Sequence, residues 1–140
     1  MHNTQKLPTI LETQNSINNF VSVLSSKNTI GLDTEFVRIR TYYPKLCLVQ
    51  IAYNSGAGCI DYLQSNDLNK VWQLIFNPKK LKIFHSARQD LEILFLIKNQ
   101  IPENIFDTQI AAALLGYPPQ VGIKQLLKDE LNIEISKTET

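Results

Sequence analysis

The sequence carries almost no net charge, few cysteines and no long apolar run. Its 140 residues contain 14 Lys and Arg against 13 Asp and Glu, so it lacks the basic excess typical of small nucleic-acid-binding modules. An acidic metal site elsewhere in the chain would offset such an excess. The two cysteines, Cys47 and Cys59, do not have metal-site spacing and are predicted to be small core residues.

No stretch of the sequence has the length and apolarity of a membrane-spanning helix. Residues 1–12 also lack the apolar centre of a signal peptide, so we expect a cytoplasmic protein with no membrane contact. The length predicts one domain that buries about two-thirds of the surface exposed by the unfolded chain.

The most informative stretch is residues 30–36, IGLDTEF. Apolar side chains alternate there with Gly31, Asp33 and Glu35, and this period of two predicts a strand with one face in the core. Asp33 and Glu35 then project together from the other face, roughly 7 Å apart. Two such carboxylates are costly unless a partner neutralises them, and Mg²⁺ prefers oxygen ligands of this kind. The alternative is that the strand ends here and water solvates both acids.

The rest of the sequence predicts alternating helices and strands. Strands are predicted at about 29–37, 46–53, 59–62, 81–85 and 105–106, and helices at about 13–24, 68–75, 86–98, 109–115 and 122–131. The first and last of these helices each carry one apolar stripe, formed by Ile17, Phe20, Val21 and Leu24 in the first and by Ile123, Leu126, Leu127 and Leu131 in the last. Short loops between the first three strands predict an antiparallel meander, and helical connections predict that the last two strands pair parallel with the first. The predicted fold is therefore α/β, with a mixed sheet and helices on both faces.

The third predicted helix has two notable features. Ser86 and Gln89 have the form of a capping box at its start, and its sequence is apolar enough to be buried on most sides. Asp90 in its first turn would lie near the end of the first strand, against Asp33 and Glu35. Three converging carboxylates predict a metal site. Taken alone, Asp90 is equally explained by the helix dipole.

Three further positions have both a structural and a functional interpretation. Asp107 or Thr108 is predicted to cap the fourth helix, and His85 is more often a packed strand-end residue than a ligand. The loop at 38–44, RIRTYYP, combines two cations with two tyrosines and is able to hold phosphate or stack a base. It is also a plausible solvated hairpin loop.

Three blocks of the sequence resemble ribonuclease D. DTEFVRIRTYYPKLCLVQI is similar to its first exonuclease motif, HSARQDLEIL to its second, and IFDTQIAAALLGYP to the segment that follows. The resemblance extends from about residue 7 to residue 140. It implies a ribonuclease-H-like fold and a DEDD-type 3′–5′ exonuclease that hydrolyses RNA in 3′-end processing, with tRNA as one candidate substrate.

The resemblance also implies roles for individual residues. Asp33, Glu35 and Asp90 match catalytic ligands of two divalent ions, Mg²⁺ or Mn²⁺, which hold the scissile phosphate. The partner is the 3′ end of a single-stranded RNA. Contacts to this nucleic acid are implied for the residues around the motifs: Thr34, Phe36, Arg38, Arg40, Tyr42, Tyr43, His85 and Arg88. In much of the wider family an Asn stands where this sequence has Ser86.

The sequence departs from the family at its third motif, Tyr-x-x-x-Asp, which supplies a general base and a fourth carboxylate. No such motif occurs in these 140 residues, whose last tyrosine is Tyr117 and last aspartate Asp129. Ser136 and Glu139 resemble a further capping box. We therefore expect residues 1–140 to form an exonuclease domain that is incomplete at its C-terminus. Metal occupancy should be weak or partial, and activity low. Self-association is expected, or a second polypeptide that completes the site.

Two other functions fit parts of the sequence. A non-catalytic module could bind single-stranded nucleic acid or a partner through the arginines and tyrosines of the 38–44 loop and Arg88. A phosphohydrolase with Asp33 as nucleophile is disfavoured, because such enzymes usually carry a second aspartate two residues later and Glu35 stands there.

Overall fold

A computed structural model describes residues 8–64 and 67–136 of the chain. Its strands are β1 Thr9–Leu11, β2 Thr29–Val37, β3 Lys45–Tyr53, β4 Gly56–Asp61, β5 Leu81–Phe84 and β6 Ile105–Asp107. Its helices are α1 Gln14–Ser25, α2 Asn69–Ile75, α3 Arg88–Lys98, α4 Thr108–Leu114 and α5 Ile123–Leu131. The capping box predicted from Ser136 to Glu139 lies largely outside the described residues.

The strands form one mixed sheet in the order β1-β4-β3-β2-β5-β6. Strands β2, β3 and β4 are the predicted antiparallel meander, and β5 pairs parallel with β2. Strand β6 pairs parallel with β5 at the edge of the sheet, and not with β2 as predicted, because β5 already occupies that side of β2. The predicted α/β fold is confirmed. Strand β1, which pairs parallel with β4, was not predicted, because three residues are too few to show a period.

The two faces of the sheet differ. One face packs against α1, α2 and α3 in a single apolar core, to which β2 contributes Ile30 and Leu32. The opposite face presents Gly31, Asp33 and Glu35 of β2. Helix α5 reaches this second face at its first residue, Ile123, beside a hollow of about 410 Å³. The sheet thus has helices on both sides, but its acidic face is largely open.

Helix α1 begins and packs as its sequence predicts. The Thr13 hydroxyl accepts the backbone N–H of Ser16 at 3.1 Å, and the Ser16 hydroxyl accepts that of Thr13 at 3.2 Å. This reciprocal cap satisfies two of the donors that a helix start leaves unpaired. Ile17, Val21 and Leu24 are buried, which confirms the apolar stripe.

The capping box predicted at Ser86 is wrong. Ala87 occupies the N-cap of α3, and no side chain within the helix start caps it. Ser86 has φ 63°, a left-handed conformation that non-glycine residues seldom adopt. The N–H groups of Ser86 and Ala87 instead donate to the carboxylate of Asp107, a residue distant in sequence.

Two helices are less buried than their apolar sequences predict. In α3, Phe95 and Leu96 are 46% and 41% exposed, because only one side of the helix faces the sheet. In α5 no residue is buried, although Ile123 and Leu131 belong to an apolar stripe. Within the described residues, no helix is both long and apolar enough to cross a membrane.

The cysteine prediction is confirmed for Cys59, which is buried, whereas Cys47 is only half-buried. Both thiols are free. In the sheet, Cys59 of β4 is paired with Gln50 of β3, three residues along that strand from Cys47.

Candidate active site at the end of β2

The predicted alternation along β2 is confirmed at its end. Thr34 is buried on the core side, whereas Asp33 and Glu35 are exposed on the other face. Strand β5 pairs with β2 only at residues 29–31. Thr34 therefore lies beyond the last residue of β2 that pairs with β5. On the side of β2 that faces β5, the backbone N–H of Thr34 has no strand partner.

Asp90 supplies the acceptor for this N–H group. Its Oδ1 accepts hydrogen bonds from the Thr34 backbone N–H at 3.0 Å and from the Thr34 hydroxyl at 2.5 Å. Asp90 lies in the first turn of α3 and is only 6% exposed. These two bonds fix the orientation of its carboxyl group at the end of the central strand.

Asp90 and Asp33 form an acidic pair. Burial raises the pKa of Asp90 to about 6; the Thr34 hydroxyl opposes this shift and the charge of Asp33 adds to it. Asp33 is exposed as a residue, but its carboxyl group is partly desolvated, and this desolvation raises its pKa. A hydrogen bond from the Thr34 backbone N–H lowers the pKa of Asp33 by a smaller amount. A carboxyl group whose negative charge is disfavoured by burial and by a neighbouring carboxylate is suited to binding a cation.

Glu35 reaches towards β3, where Gln50 is the strand partner of Asp33. Its Oε1 accepts a long hydrogen bond of 3.5 Å from Gln50 Nε2. The pKa of the Cys59 thiol is raised, first by burial and then by the negative charges of Asp61 and Glu35. The three carboxylates offer hard oxygen donors, which fit a divalent cation chemically. In this conformation, no three His, Cys, Asp or Glu side chains among the described residues are grouped to hold an ion.

The loop after β2 carries the predicted cationic and aromatic residues. Arg38 donates to the Tyr42 carbonyl at 2.7 Å and pairs with Glu92 of α3 at 3.5 Å, so the loop is tied to the helix that carries Asp90. Tyr42 and Tyr43 are 84% and 61% exposed, and their rings meet edge to face. Arg40 is exposed and has φ 53°. Exposed rings beside a cation can stack a nucleobase.

The other predicted nucleic-acid contacts lie in different surroundings. Arg88 is exposed at the start of α3, whereas Phe36 packs against the core. Both ring nitrogens of His85 are engaged, with the Thr108 hydroxyl and the Val121 carbonyl, each at 2.8 Å. Thr34 is engaged with Asp90. That His85 and Thr34 contact nucleic acid stays a prediction. Such contacts would use atoms other than the His85 ring nitrogens and the Thr34 hydroxyl, which already have hydrogen-bond partners.

Asp107 has more partners than sequence reasoning predicted. Its Oδ1 accepts from Gln109 N at 2.8 Å, which confirms the predicted N-cap of α4. It also accepts the N–H groups of Ser86 and Ala87, in the turn before α3. Partial burial disfavours its charge, but the backbone N–H groups outweigh burial and lower the pKa of Asp107. No local sequence signal could show this second set of partners.

The mixed sheet, with an acidic pair where its central strand ends, defines a nuclease-like α/β domain. Residues 8–140 match a family model described as 3′-5′ exonuclease, and the chain belongs to that family. Ribonuclease D of Gluconacetobacter diazotrophicus is 38% identical over 131 residues, 93% of this chain. Ribonuclease D of Desulfotalea psychrophila is 39% identical over 137 residues, 96% of this chain.

A solved structure has the same fold. Escherichia coli RNase D, described as an exoribonuclease involved in structured RNA processing, is 28% identical and superposes with a TM-score of 0.86 over 95% of this chain. The chain spans about a third of the length of these relatives: 33% and 36% of the two curated proteins and 36% of the E. coli chain. The predicted resemblance to ribonuclease D is confirmed.

Proposed function

We propose that residues 1–140 are an exonuclease domain of ribonuclease D type, incomplete at its third motif, that acts on the 3′ ends of single-stranded RNA. The observation that carries the proposal is the acidic pair Asp33–Asp90, oriented by Thr34 at the end of β2. Membership of the 3′–5′ exonuclease family supports the reaction class. The two free cysteines are consistent with a reducing compartment, and we include a cytoplasmic location in the proposal.

In the proposed reaction, Asp33, Glu35 and Asp90 would hold two divalent ions, Mg²⁺ or Mn²⁺. Bound ions of this kind supply Lewis-acid activation of water and stabilise charge on a leaving 3′ oxygen. Thr34 holds one oxygen of Asp90, so this carboxyl group is already oriented. Glu35 would turn from Gln50 towards the pair, and its exposure leaves it free to do so.

The activity of this chain should be impaired, because its sequence contains no Tyr-x-x-x-Asp. Three carboxylates facing two dications leave positive charge uncompensated, and at least one ion should bind weakly. Tyr117, the last tyrosine, donates its hydroxyl to Glu130 at 2.6 Å. Without a positioned tyrosine, the attacking water is poorly oriented, and positioning supplies much of the rate.

Degradation of a 5′-labelled single-stranded RNA in Mg²⁺ or Mn²⁺ tests the proposal. We expect a slow ladder that shortens from the 3′ end with the native chain, and none with Asp33→Ala or Asp90→Asn. Asp129→Asn, which removes an exposed acid on α5, is the matched control and should leave the ladder unchanged. A ladder that persists in both site variants would refute the assignment of these carboxylates.

A second candidate function is RNA binding without catalysis. The observation that favours it is the exposed pair Tyr42 and Tyr43 beside Arg38. In EDTA, Tyr42→Ala should weaken binding of single-stranded RNA by about 1–3 kcal/mol, the usual contribution of one stacked base. Ile39→Ala, in the same loop and also exposed, is the control. Equal effects in fluorescence anisotropy would argue against stacking.

The missing groups could also come from another polypeptide. The hollow on the acidic face of the sheet lies beside Asp33 and is lined by Gly31, which has no side chain, and by Ala52, whose side chain is small. A separate polypeptide that carries a Tyr-x-x-x-Asp helix should then raise the rate of RNA degradation. No change in rate at saturating polypeptide would contradict this route.

A further inference from the structure

The carboxylate of Asp107 joins two turns of the chain. Its Oδ1 accepts from Gln109 N at 2.8 Å and from Ser86 N at 3.0 Å, and its Oδ2 accepts from Ala87 N at 2.8 Å. The first bond caps its own helix, α4. The other two lie about 20 residues away in sequence, in the turn between β5 and α3.

That turn has little support of its own. Ser86 has φ 63°, a left-handed backbone conformation that is strained for a residue with a Cβ. Ala87 occupies the N-cap of α3 and offers no capping side chain. The N–H groups at the start of a helix need partners, and a carboxylate is a favourable acceptor at this end of the helix dipole. Asp107 therefore stabilises a conformation that the local sequence does not favour.

Asp90 follows this turn directly. It lies three residues after Ala87, in the first turn of α3, where its Oδ1 accepts from Thr34 of β2. The start of α3 is thus held from β6 on one side and from β2 on the other. A displacement of the turn would rotate and shift the first helical residues, and the position of Asp90 relative to Asp33 would change with them.

We propose that Asp107 is a positioning residue for the exonuclease site: it fixes the turn before α3 and thereby places Asp90 against Thr34 and Asp33. The inference rests on the proposed function only where it concerns metal binding. Asp107 itself contacts neither Asp90 nor Asp33 among its hydrogen-bond partners, and it acts through the backbone of Ser86 and Ala87.

The decisive variant is Asp107→Ser. Serine is a good N-cap and keeps the bond to Gln109 N, but its short side chain does not span the distance to the turn before α3. Asp107→Ala removes both the cap of α4 and the acceptors for the turn before α3. Ile93→Val shortens a buried side chain of α3 and lowers stability without touching the turn, so it controls for a general loss of stability.

The first readout needs no metal. Hydrogen exchange of the Thr34 amide, followed by NMR under conditions where every variant is folded, reports whether Asp90 still accepts its bond. We expect Thr34 to exchange at least tenfold faster in Asp107→Ser and Asp107→Ala, with other amides of β2 and β3 unchanged. Native-like protection of Thr34 in Asp107→Ser would overturn the proposal.

The second readout is Mn²⁺ affinity, measured by calorimetry on the same proteins. Loss of a residue that orients a metal ligand typically weakens binding by about 10–100-fold, and we expect a loss of this size in Asp107→Ser but not in Ile93→Val. If the native chain binds no Mn²⁺ and degrades no RNA, the proposed function fails, and the Thr34 exchange data still decide the positioning role.

Discussion

At the scale of single residues, Asp90 is held where its charge is disfavoured. It is 6% exposed, and burial raises its pKa from 3.8 to about 6, with the Thr34 hydroxyl opposing the shift and Asp33 adding to it. The folded chain therefore retains a proton between these pH values that the unfolded chain has lost. By linkage, this residue's contribution to stability is present below pH 3.8 and is lost as the pH rises through about 6.

Asp90→Asn should stabilise the chain at neutral pH. Asparagine keeps an oxygen that can accept from Thr34 but carries no charge, so it avoids a cost of roughly 2–3 kcal/mol that the carboxylate incurs above pH 6. Urea denaturation in EDTA should show this gain at about pH 8 and little gain at about pH 3.5. The exposed Asp129→Asn is the control, and an equal gain at both pH values would contradict the prediction.

At the scale of elements, Lys80 closes the end of α1. Its Nζ donates to the carbonyl oxygens of Leu24 at 2.9 Å and Ser25 at 3.3 Å, and to that of Lys27. The last turn of α1 has no basic residue of its own. Lys80 is 5% exposed, and burial lowers its pKa. Its ammonium group nevertheless donates to the Ser25 and Lys27 carbonyls. It adds a further donor to the Leu24 carbonyl, which also accepts from Lys27 N at 3.0 Å.

Lys80→Met should destabilise the fold by roughly 2–4 kcal/mol, because methionine keeps the apolar stem and removes the buried ammonium donor that the three carbonyls share. The neighbouring Lys79 is exposed, and Lys79→Met should change stability by less than about 0.5 kcal/mol. Chemical denaturation of both variants measures the difference. Similar midpoints for the two would show that the Lys80 contacts contribute little.

At the scale of the whole molecule, the described residues leave an apolar groove open between α3, β6 and α4. It has a volume of about 810 Å³, and its lining includes Phe95, Phe106, Ile110 and Leu114, which are 46%, 47%, 62% and 84% exposed. Continuous apolar surface of this kind favours association. The edge strand β6 borders the groove and has one side without a strand neighbour in the described sheet.

The chain should therefore associate as its concentration rises. Sedimentation velocity over a range of concentrations should show an increasing average mass for the native chain and a smaller increase for Leu114→Lys. Val23→Lys replaces an exposed apolar residue on α1, outside the groove, and should behave like the native chain. A native chain that stays monomeric throughout would refute the prediction.

Much of this molecule was predictable from short stretches of sequence. The alternation at residues 30–36 placed Asp33 and Glu35 on one face, and the spacing of Ile17, Val21 and Leu24 predicted the buried side of α1. Both are patterns in which neighbouring residues share one environment. Membership of the 3′–5′ exonuclease family was also predictable, because its motifs keep their order along the chain.

The tertiary structure alone decided how the site is held. Thr34 and Asp90 are 56 residues apart, and they meet because β5 ends before Thr34 and leaves its N–H to α3. Asp107, not Ser86, supplies acceptors to the turn before α3. A hydrogen bond between distant residues depends on where strands end and helices begin in space, and no local period encodes that position.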